Sequence, residues 1–390
     1  CYDRGTVMGQ KKSVLLLGSY GQSNLGDDLL MWNFLGLLRD QGYEEIYVNA
    51  NTTKYIPKPV KQAYPHLHVL NTYKTSILTY VKLIRQVDCI IYGGGTLYKE
   101  LYATTGRGKY SVITRMMGFN VLARLFGTKL YHLNIGIGSL KTTLGRTLSK
   151  VALNAATKTI FRDEASYRYA KDVLGIAEEK IEQSTDGLFI SRIWQRPWHK
   201  ATLRIDRKKY KNVIGINVLS DIPDWIDRDA YVRTMQQFVV TLLDRGNYVV
   251  FVPFQHAFNP RNDLKWTHQI FDDVLAGRSG YKILTEVPID LASSYLQQCD
   301  LFVGMRFHSL LLSTVNQVPF LAVAYDTKCW RFIEESSYPY AVKLEDLQLE
   351  PLIHLFEEAL VAKEEIKAQL GQIARQQYMI AEEGIRTLNL

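Results

Sequence analysis

The chain reads as an α/β protein of two doubly wound parallel-sheet domains. Three observations predict this. Short continuous apolar runs alternate with amphipathic stretches along nearly all of the 390 residues, which is the pattern of βαβ units. Several of those runs end in glycines, at Gly18/Gly21/Gly26, Gly93–Gly95 and Gly136/Gly138. Glycine there lets the chain turn and lets a ligand approach the backbone. Finally, RIWQRPWHKATLRIDRKKYK (192–211) is basic, polar and without alternation, and the strand–helix pattern restarts after it.

In the first half, Val14–Leu17 is a continuous apolar run and reads as a buried strand followed by the loop GSYGQSNLGDD. Asp27–Asp28 suit a helix N-terminus, and the helix continues through LLMWNFLGLL. Ile46–Val48 is a second strand, Thr75–Gln86 an amphipathic helix, and Cys89–Tyr92 a strand running into Gly93–Gly94–Gly95–Thr96. Thr114–Phe126 is helical. Lys129–Asn134 is a strand ending at Gly136–Ser139, and Leu144–Ala156 a helix. Thr159–Phe161 is a strand ending at Arg162–Asp163, and Glu164–Val173 is a helix.

The second half repeats the scheme. Strands are expected at Val213–Val218, Tyr248–Phe254 (ending at Gln255–His256), Lys282–Leu284, Leu301–Val303 and Pro319–Ala324. Helices are expected at Tyr231–Arg245, Asp263–Leu275, Asp290–Gln298 and from Leu310–Leu312 onward, with one long helix over Leu352–Arg375. The division is an N-terminal domain at 1–195, a linker at 196–211 and a C-terminal domain at 212–390. Two such domains, a linker and a long last helix suggest a GT-B-like arrangement, the domains facing each other across a ligand cleft.

Composition narrows the function. The net charge of +8 favours an anionic partner. Cys1, Cys89, Cys299 and Cys329 share no metal-ligand spacing. Cys89 and Cys299 each adjoin an aspartate at the start of an apolar run, which reads as buried and reduced, so a reducing, cytoplasmic setting is expected. Lys11–Lys12 is followed only by Val14–Leu17 before Gly18, not a secretory leader pattern, and no apolar run reaches the ~18 residues of a membrane span. The first glycine loop reads G-x-x-G-x-x-x-x-G, and the second strand runs to Asn49 where an acid would bind ribose, so a dinucleotide-binding dehydrogenase is disfavoured. No Walker lysine, HExxH, GxSxG or CxxC occurs.

The chemistry concentrates in LFVGMRFHSLLL (Leu301–Leu312). A strand, a glycine turn and a helix place Arg306 and His308 at the carboxyl end of a strand beside a helix N-terminus, where ligands bind in open α/β sheets and where anions are favoured. Arg306 can fork onto a phosphate or carboxylate, and His308 can move a proton near neutral pH. The plainer alternative is that Arg306 pairs with a surface carboxylate and His308 merely caps its helix. His256 ends a neighbouring strand and Lys328 ends the next, so the topology gathers one Arg, one Lys and two His for a small, multiply charged anion. A site of that charge calls for no metal, because hard divalent ions want oxygen ligands.

Seven motifs carry a resemblance: SNLGDD (23–28), YGGGTL (92–97), NIGIGS (134–139), RDEAS (162–166), TDG (185–187), GMRFHSL (304–310) and AYDTK (324–328). In this order, over about residues 13–335, the chain resembles the polysaccharide pyruvyltransferase family, and most of all the CsaB-type enzymes that pyruvylate secondary cell-wall polymers. Ser139 and Asp28 depart from the usual pattern of proline and a small residue.

The resemblance implies a transferase with phosphoenolpyruvate as donor substrate and no cofactor. The implied acceptor is N-acetylmannosamine in a lipid-diphosphate-linked precursor, ketalised at O4 and O6, and the finished polymer anchors S-layer proteins. The residues agree. The donor's phosphate and carboxylate need two cationic contacts, which Arg306 and Lys328 supply, with His256 beside them and His308 as acid/base. Loops around Asn24, Asp27, Gly94 and Gly95 face the acceptor, although Asp27 alternatively only caps its helix. Arg107 and Arg115 add positive charge on the acceptor side. With Lys109, Arg124 and Lys129 they surround the helix Thr114–Phe126, which predicts peripheral contact with an anionic membrane. No nucleic-acid partner is expected. The competing classes are a GT-B glycosyltransferase using a nucleotide sugar and a non-catalytic anion- or glycan-binding protein.

Overall fold

The computed structural model describes residues 11–101, 108–190, 203–220, 222–256 and 262–388. They fall into two compact units. The first holds 1–22, 27–191 and 378–390; the second holds 23–26 and 192–377. The division expected from sequence, 1–195 and 212–390, does not contain this exchange of two short segments. The part of the expected linker at 196–202 lies outside the described residues.

The first unit runs β1 (Ser13–Leu17), α1 (Leu25–Asp40), β2 (Glu45–Ala50), α2 (Lys58–Ala63), β3 (His68–Asn71), α3 (Ile77–Gln86), β4 (Cys89–Gly93), β5 (Thr96–Tyr98), α4 (Ser111–Phe126), β6 (Lys129–Ile137), α5 (Thr143–Ala155), β7 (Lys158–Phe161), α6 (Glu164–Arg168) and β8 (Ile181–Gln183). Leu25 and Gly26, which open α1, count with the second unit. The strands form one parallel sheet in the order β3-β2-β1-β4-β6-β7-β8, with β5 pairing β6. β1 and β4 are buried almost throughout, as strands covered by helices on both faces must be.

The second unit runs β9 (Val213–Ile216), α7 (Arg228–Asp244), β10 (Tyr248–Phe251), α8 (Asp263–Leu275), β11 (Tyr281–Ile283), α9 (Ala292–Leu296), β12 (Leu301–Gly304), α10 (Phe307–Val315), β13 (Phe320–Ala324), α11 (Thr327–Glu335), β14 (Ala341–Lys343), α12 (Leu349–Val361) and α13 (Lys363–Arg386). Its sheet is parallel throughout in the order β11-β10-β9-β12-β13-β14. Strand order reverses between β9 and β12, so the crevice outside their carboxyl ends is the place this topology offers a ligand.

Several expectations are corrected. The single helix over Leu352–Arg375 is two helices broken at Ala362. The helix over Glu164–Val173 is α6 followed by a π-helical turn, Tyr169–Val173. Lys328, expected at the end of a strand, sits in the first turn of α11, which Asp326 caps by accepting from the Cys329 amide. The helix after β12 opens at Phe307, earlier than Leu310, and has Arg306 at its N-cap without a capping side chain, so no sequence signal marks its start. The edge strands β3 and β14 are only partly buried, so their apolar pattern is weak.

Candidate functional site

The carboxyl edge of the second sheet is organised by a buried carboxylate. Asp263 is fully buried in the first turn of α8. Its Oδ1 accepts from Arg306 Nη2 at 2.5 Å and from Ser220 Oγ at 2.8 Å; its Oδ2 accepts from Arg306 Nε at 3.2 Å. The amides of Phe254 and Gln255 also donate to Oδ2, at 3.3 and 3.1 Å. The Arg306 amide donates to Oδ1 of the buried Asn217 at 3.0 Å, and Asn217 Nδ2 donates to the Val252 carbonyl at 3.1 Å. Arg306 is thereby tied across the switch point, from the end of β12 to the chain leaving β9 and to the loop after β10.

The Arg306 fork is held by Asp263, not by a surface acid, so the side chain is locked in place. A buried charge of this kind is tolerable only with such a partner. His308, two residues on, is half-buried in the first turn of α10, and its ring meets that of Phe307 at 5.5 Å in an edge-on arrangement.

Ser23–Gly26 lies alongside. Asn24 forms an antiparallel bridge with Gln255, its Nδ2 donates to Gln255 Oε1 at 3.2 Å, and the Leu25 amide donates to the Phe254 carbonyl at 2.8 Å. Gly26 follows, and a Cβ built on it would stand 2.0 Å from His308 Nδ1. Contacts therefore run in a closed circuit from Arg306 through Asp263, Phe254/Gln255, Asn24/Leu25 and Gly26 back to His308.

Lys328 Nζ bonds Asp326 Oδ2 at 3.1 Å, lies 3.4 Å from Tyr325 Oη and stands 5.8 Å from the Phe307 ring centroid. Burial raises the Asp326 carboxyl, but the Lys328 ammonium and the Cys329 amide outweigh it and hold the pKa below the usual value. Burial pushes the Tyr325 phenol up to about 12, opposed by Lys328. His256 is half-buried; burial lowers its pKa, opposed by Glu286 and Asp263. The strand order thus brings Arg306, His308, Lys328 and His256 to one sheet edge, as expected from sequence.

The other expected residues divide. Asn24 stands with this group, in the second unit. Gly94 and Gly95 follow β4 in the first unit with φ of +69° and +80°, and Asp27 is half-buried in the first turn of α1. Beside it Asp28 is buried, and its carboxyl is pushed well up by that burial and by Asp27. Arg115 sits along α4, donating to the Thr72 carbonyl at 2.7 Å with its guanidinium 5.0 Å from the Tyr80 ring centroid. Arg107 lies outside the described residues.

The sequence does not single out Asp263, Asn217 or Ser220, and it marks Gly26 only as a loop glycine, not as the neighbour of His308. Asp263 had one local signal, an acid opening a helix, which does not distinguish a cap from a buried hub. In the first unit the RDEAS, TDG and YGGGTL motifs converge: Arg162 donates to Asp186 Oδ2 at 3.2 Å and to Thr96 Oγ1 at 2.7 Å.

The family model for polysaccharide pyruvyl transferase matches residues 24–327. The amylovoran biosynthesis protein AmsJ of Erwinia amylovora is 19% identical over 306 residues, covering 76% of this chain and 71% of AmsJ. Among solved structures, a putative UDP-N-acetylglucosamine 2-epimerase from Listeria monocytogenes superposes with a TM-score of 0.64 at 13% identity, covering 97% of this chain and 96% of that one. Anabaena Alr3699/HepE, solved with UDP, gives 0.60 at 12% identity, covering 96% and 98%. At such identities these structures share the fold alone, a GT-B-like pairing of α/β domains.

Proposed function

Because the chain belongs to the polysaccharide pyruvyl transferase family and is therefore a transferase acting in polysaccharide biosynthesis, we propose that it moves the enolpyruvyl group of phosphoenolpyruvate onto a sugar as a ketal. The acceptor in this reading is N-acetylmannosamine of a lipid-diphosphate-linked cell-wall polymer precursor, ketalised at O4 and O6. The product is the CsaB-type secondary cell-wall polymer that anchors S-layer proteins. The enzyme works in the cytoplasm, in peripheral contact with the inner face of the membrane.

The observation that supports this reading is the grouping of Arg306, His308 and Lys328 at one switch-point edge, with Arg306 fixed by Asp263. In the proposed reaction a proton is delivered to C3 of the enol, which becomes a methyl group, and C2 becomes electrophilic. A sugar hydroxyl adds to C2 and gives up its proton, phosphate leaves with the C2–O bonding pair, and the second hydroxyl adds to C2 and gives up its proton in turn to close the ketal. His308 is the acid/base, a role typically contributing ~10²–10⁴-fold. Lys328 and the Arg306 edge hold the donor's anions, with His256 beside them and positive charge taking the place of a metal. Asn24, Asp27, Gly94, Gly95, Arg107 and Arg115 serve the acceptor.

The test is incubation with phosphoenolpyruvate and a lipid-like disaccharide diphosphate. Released inorganic phosphate with an acceptor mass gain of one ketal supports the reading. Turnover of a UDP-sugar with no use of phosphoenolpyruvate replaces it with glycosyl transfer. Loss of all activity on exhaustive chelation, restored by Mg²⁺, overturns the metal-free part.

A further inference from the structure

Between Leu101 and Arg162 the chain carries ten Lys/Arg and no Asp or Glu. The whole protein is only +8, so this stretch holds more than the entire excess. Much of it forms α4 and α5, and α4 packs against both α5 and α3 on one layer of the first unit. The three helices together carry Lys82, Arg85, Arg115, Arg124, Arg146 and Lys150 and no acid. Of these, Lys82, Arg85, Arg124 and Lys150 are exposed, as are Lys129 and Lys141 just outside. None of these six exposed cations pairs with a carboxylate among the described residues. The layer is therefore positive and not neutralised from within.

The same layer is unusually apolar at its surface. Ile77, Leu78, Leu125, Leu144 and Val151 are exposed, Leu78 and Leu125 by about three quarters (76% and 74%). Of the eleven large apolar side chains exposed among the described residues, seven lie in or beside α3, α4 and α5, counting Tyr73 and Phe126. Cations interleaved with exposed leucines, isoleucine and an aromatic ring match a bilayer interface, where acyl chains take the apolar groups and anionic headgroups take the cations. A soluble polyanion would use the charge and leave the apolar groups in water.

We propose that the α3–α4–α5 layer is the surface by which this protein lies on an anionic lipid bilayer. The proposal sharpens the membrane contact in the functional reading by assigning it a face, and it is read without turnover. The experiment is co-sedimentation of the full chain with vesicles of phosphatidylglycerol and phosphatidylcholine, and with pure phosphatidylcholine, at low and high salt. The expected result is binding only to the anionic vesicles, weakened by salt. The triple variant Lys82→Glu/Arg85→Glu/Lys150→Glu should bind at least ~tenfold more weakly, since each cation near such a surface counts separately. Leu78→Ser/Leu125→Ser should weaken binding at high salt, where the apolar part dominates. Melting curves and circular dichroism spectra unchanged from the parent would show both variants folded. Absence of binding to anionic vesicles at low salt, equal binding by the triple variant, or binding to heparin but not to vesicles would overturn the proposal. None of these results depends on whether phosphoenolpyruvate is the donor, so failure of the one reading leaves the other intact.

Discussion

Gly26 lies against His308 so closely that a methyl group on its Cα would fall 2.0 Å from Nδ1 and 2.3 Å from Cγ. Its backbone is ordinary helix, so an alanine there strains nothing but the imidazole, which must turn away. Gly26→Ala should lower kcat, by ~10²-fold if the ring moves about an ångström, and leave the KM for phosphoenolpyruvate near its original value. Steady-state kinetics beside a melting curve checks this. A variant with full kcat would detach His308 from the reaction or from its present position.

Asp263 forms an ion pair with the Arg306 guanidinium from a fully buried position. Asp263→Asn removes the charge that balances that mostly buried cation, and breaking a buried pair in this way costs about 3–5 kcal/mol. The urea midpoint should fall accordingly. In the fraction still folded, the KM for phosphoenolpyruvate should rise, because the loops after β9 and β10 lose the acceptor that fixes them.

His308 and Lys328 should separate kinetically. If Lys328 holds the donor as proposed, Lys328→Ala should raise the KM for phosphoenolpyruvate. His308→Gln keeps size and hydrogen bonding without titrating, so it should mainly lower kcat, almost as far as alanine does. Arg306→Lys is the companion, since lysine keeps the charge but cannot make both bonds to Asp263. A His308→Gln enzyme with near-normal kcat and an unaltered pH profile would remove the histidine from the mechanism.

The first sheet carries a pH dependence of its own. His132 is fully buried in β6, with Nδ1 2.7 Å from Thr159 Oγ1 and Nε2 3.1 Å from Tyr98 Oη, and burial pushes its pKa down to about 3. The unfolded chain takes a proton near pH 6.5 that the folded chain refuses, so this stability is present above that value and is lost as pH falls toward 3. Between pH 6.5 and 4.5 the loss should be about 2 kcal/mol. His132→Gln should be less stable at neutral pH but flatter across that window in denaturant titrations.

Asp28 acts in the opposite sense. Its folded-state pKa is raised by burial and by Asp27, so its contribution is full below the ordinary carboxylate range and is lost as pH rises through the raised value. Asp28 Oδ1 makes no hydrogen bond among the described residues. Asp28→Asn should therefore melt higher than the parent at pH 8 and level with it at pH 4.

What could be read in advance follows from the range of the forces. The alternation of apolar runs and helices is local, and it located both sheets. The Gly304–Leu310 turn is also local, so Arg306 and His308 could be placed at a strand end. Asp263 and Arg306 are 43 residues apart, and Gly26 and His308 are far more distant. Each of those contacts depends on where two loops meet, which no window of sequence contains. Lys328 is legible at the right sheet edge, but its place in the first turn of α11 depends on Asp326 accepting from the Cys329 amide, a cap that the apolar pattern does not mark.

The Ser23–Gly26 segment also bears on how such a protein is inherited and engineered. One compact unit takes four residues from near the start of the chain, and the other takes 378–390 from its end, where Ile380 accepts from Ser184 Oγ at 3.2 Å. A cut at 192–211 therefore yields no self-sufficient halves. The C-terminal piece would lose the Asn24–Gln255 bridge and the glycine beside His308, and the N-terminal piece would lose the end of α13. Recombination between relatives at that point is expected to transplant a sheet without its clasp, so chimaeras should exchange SNLG together with residues 203–377 and leave the last helical turns with the first unit.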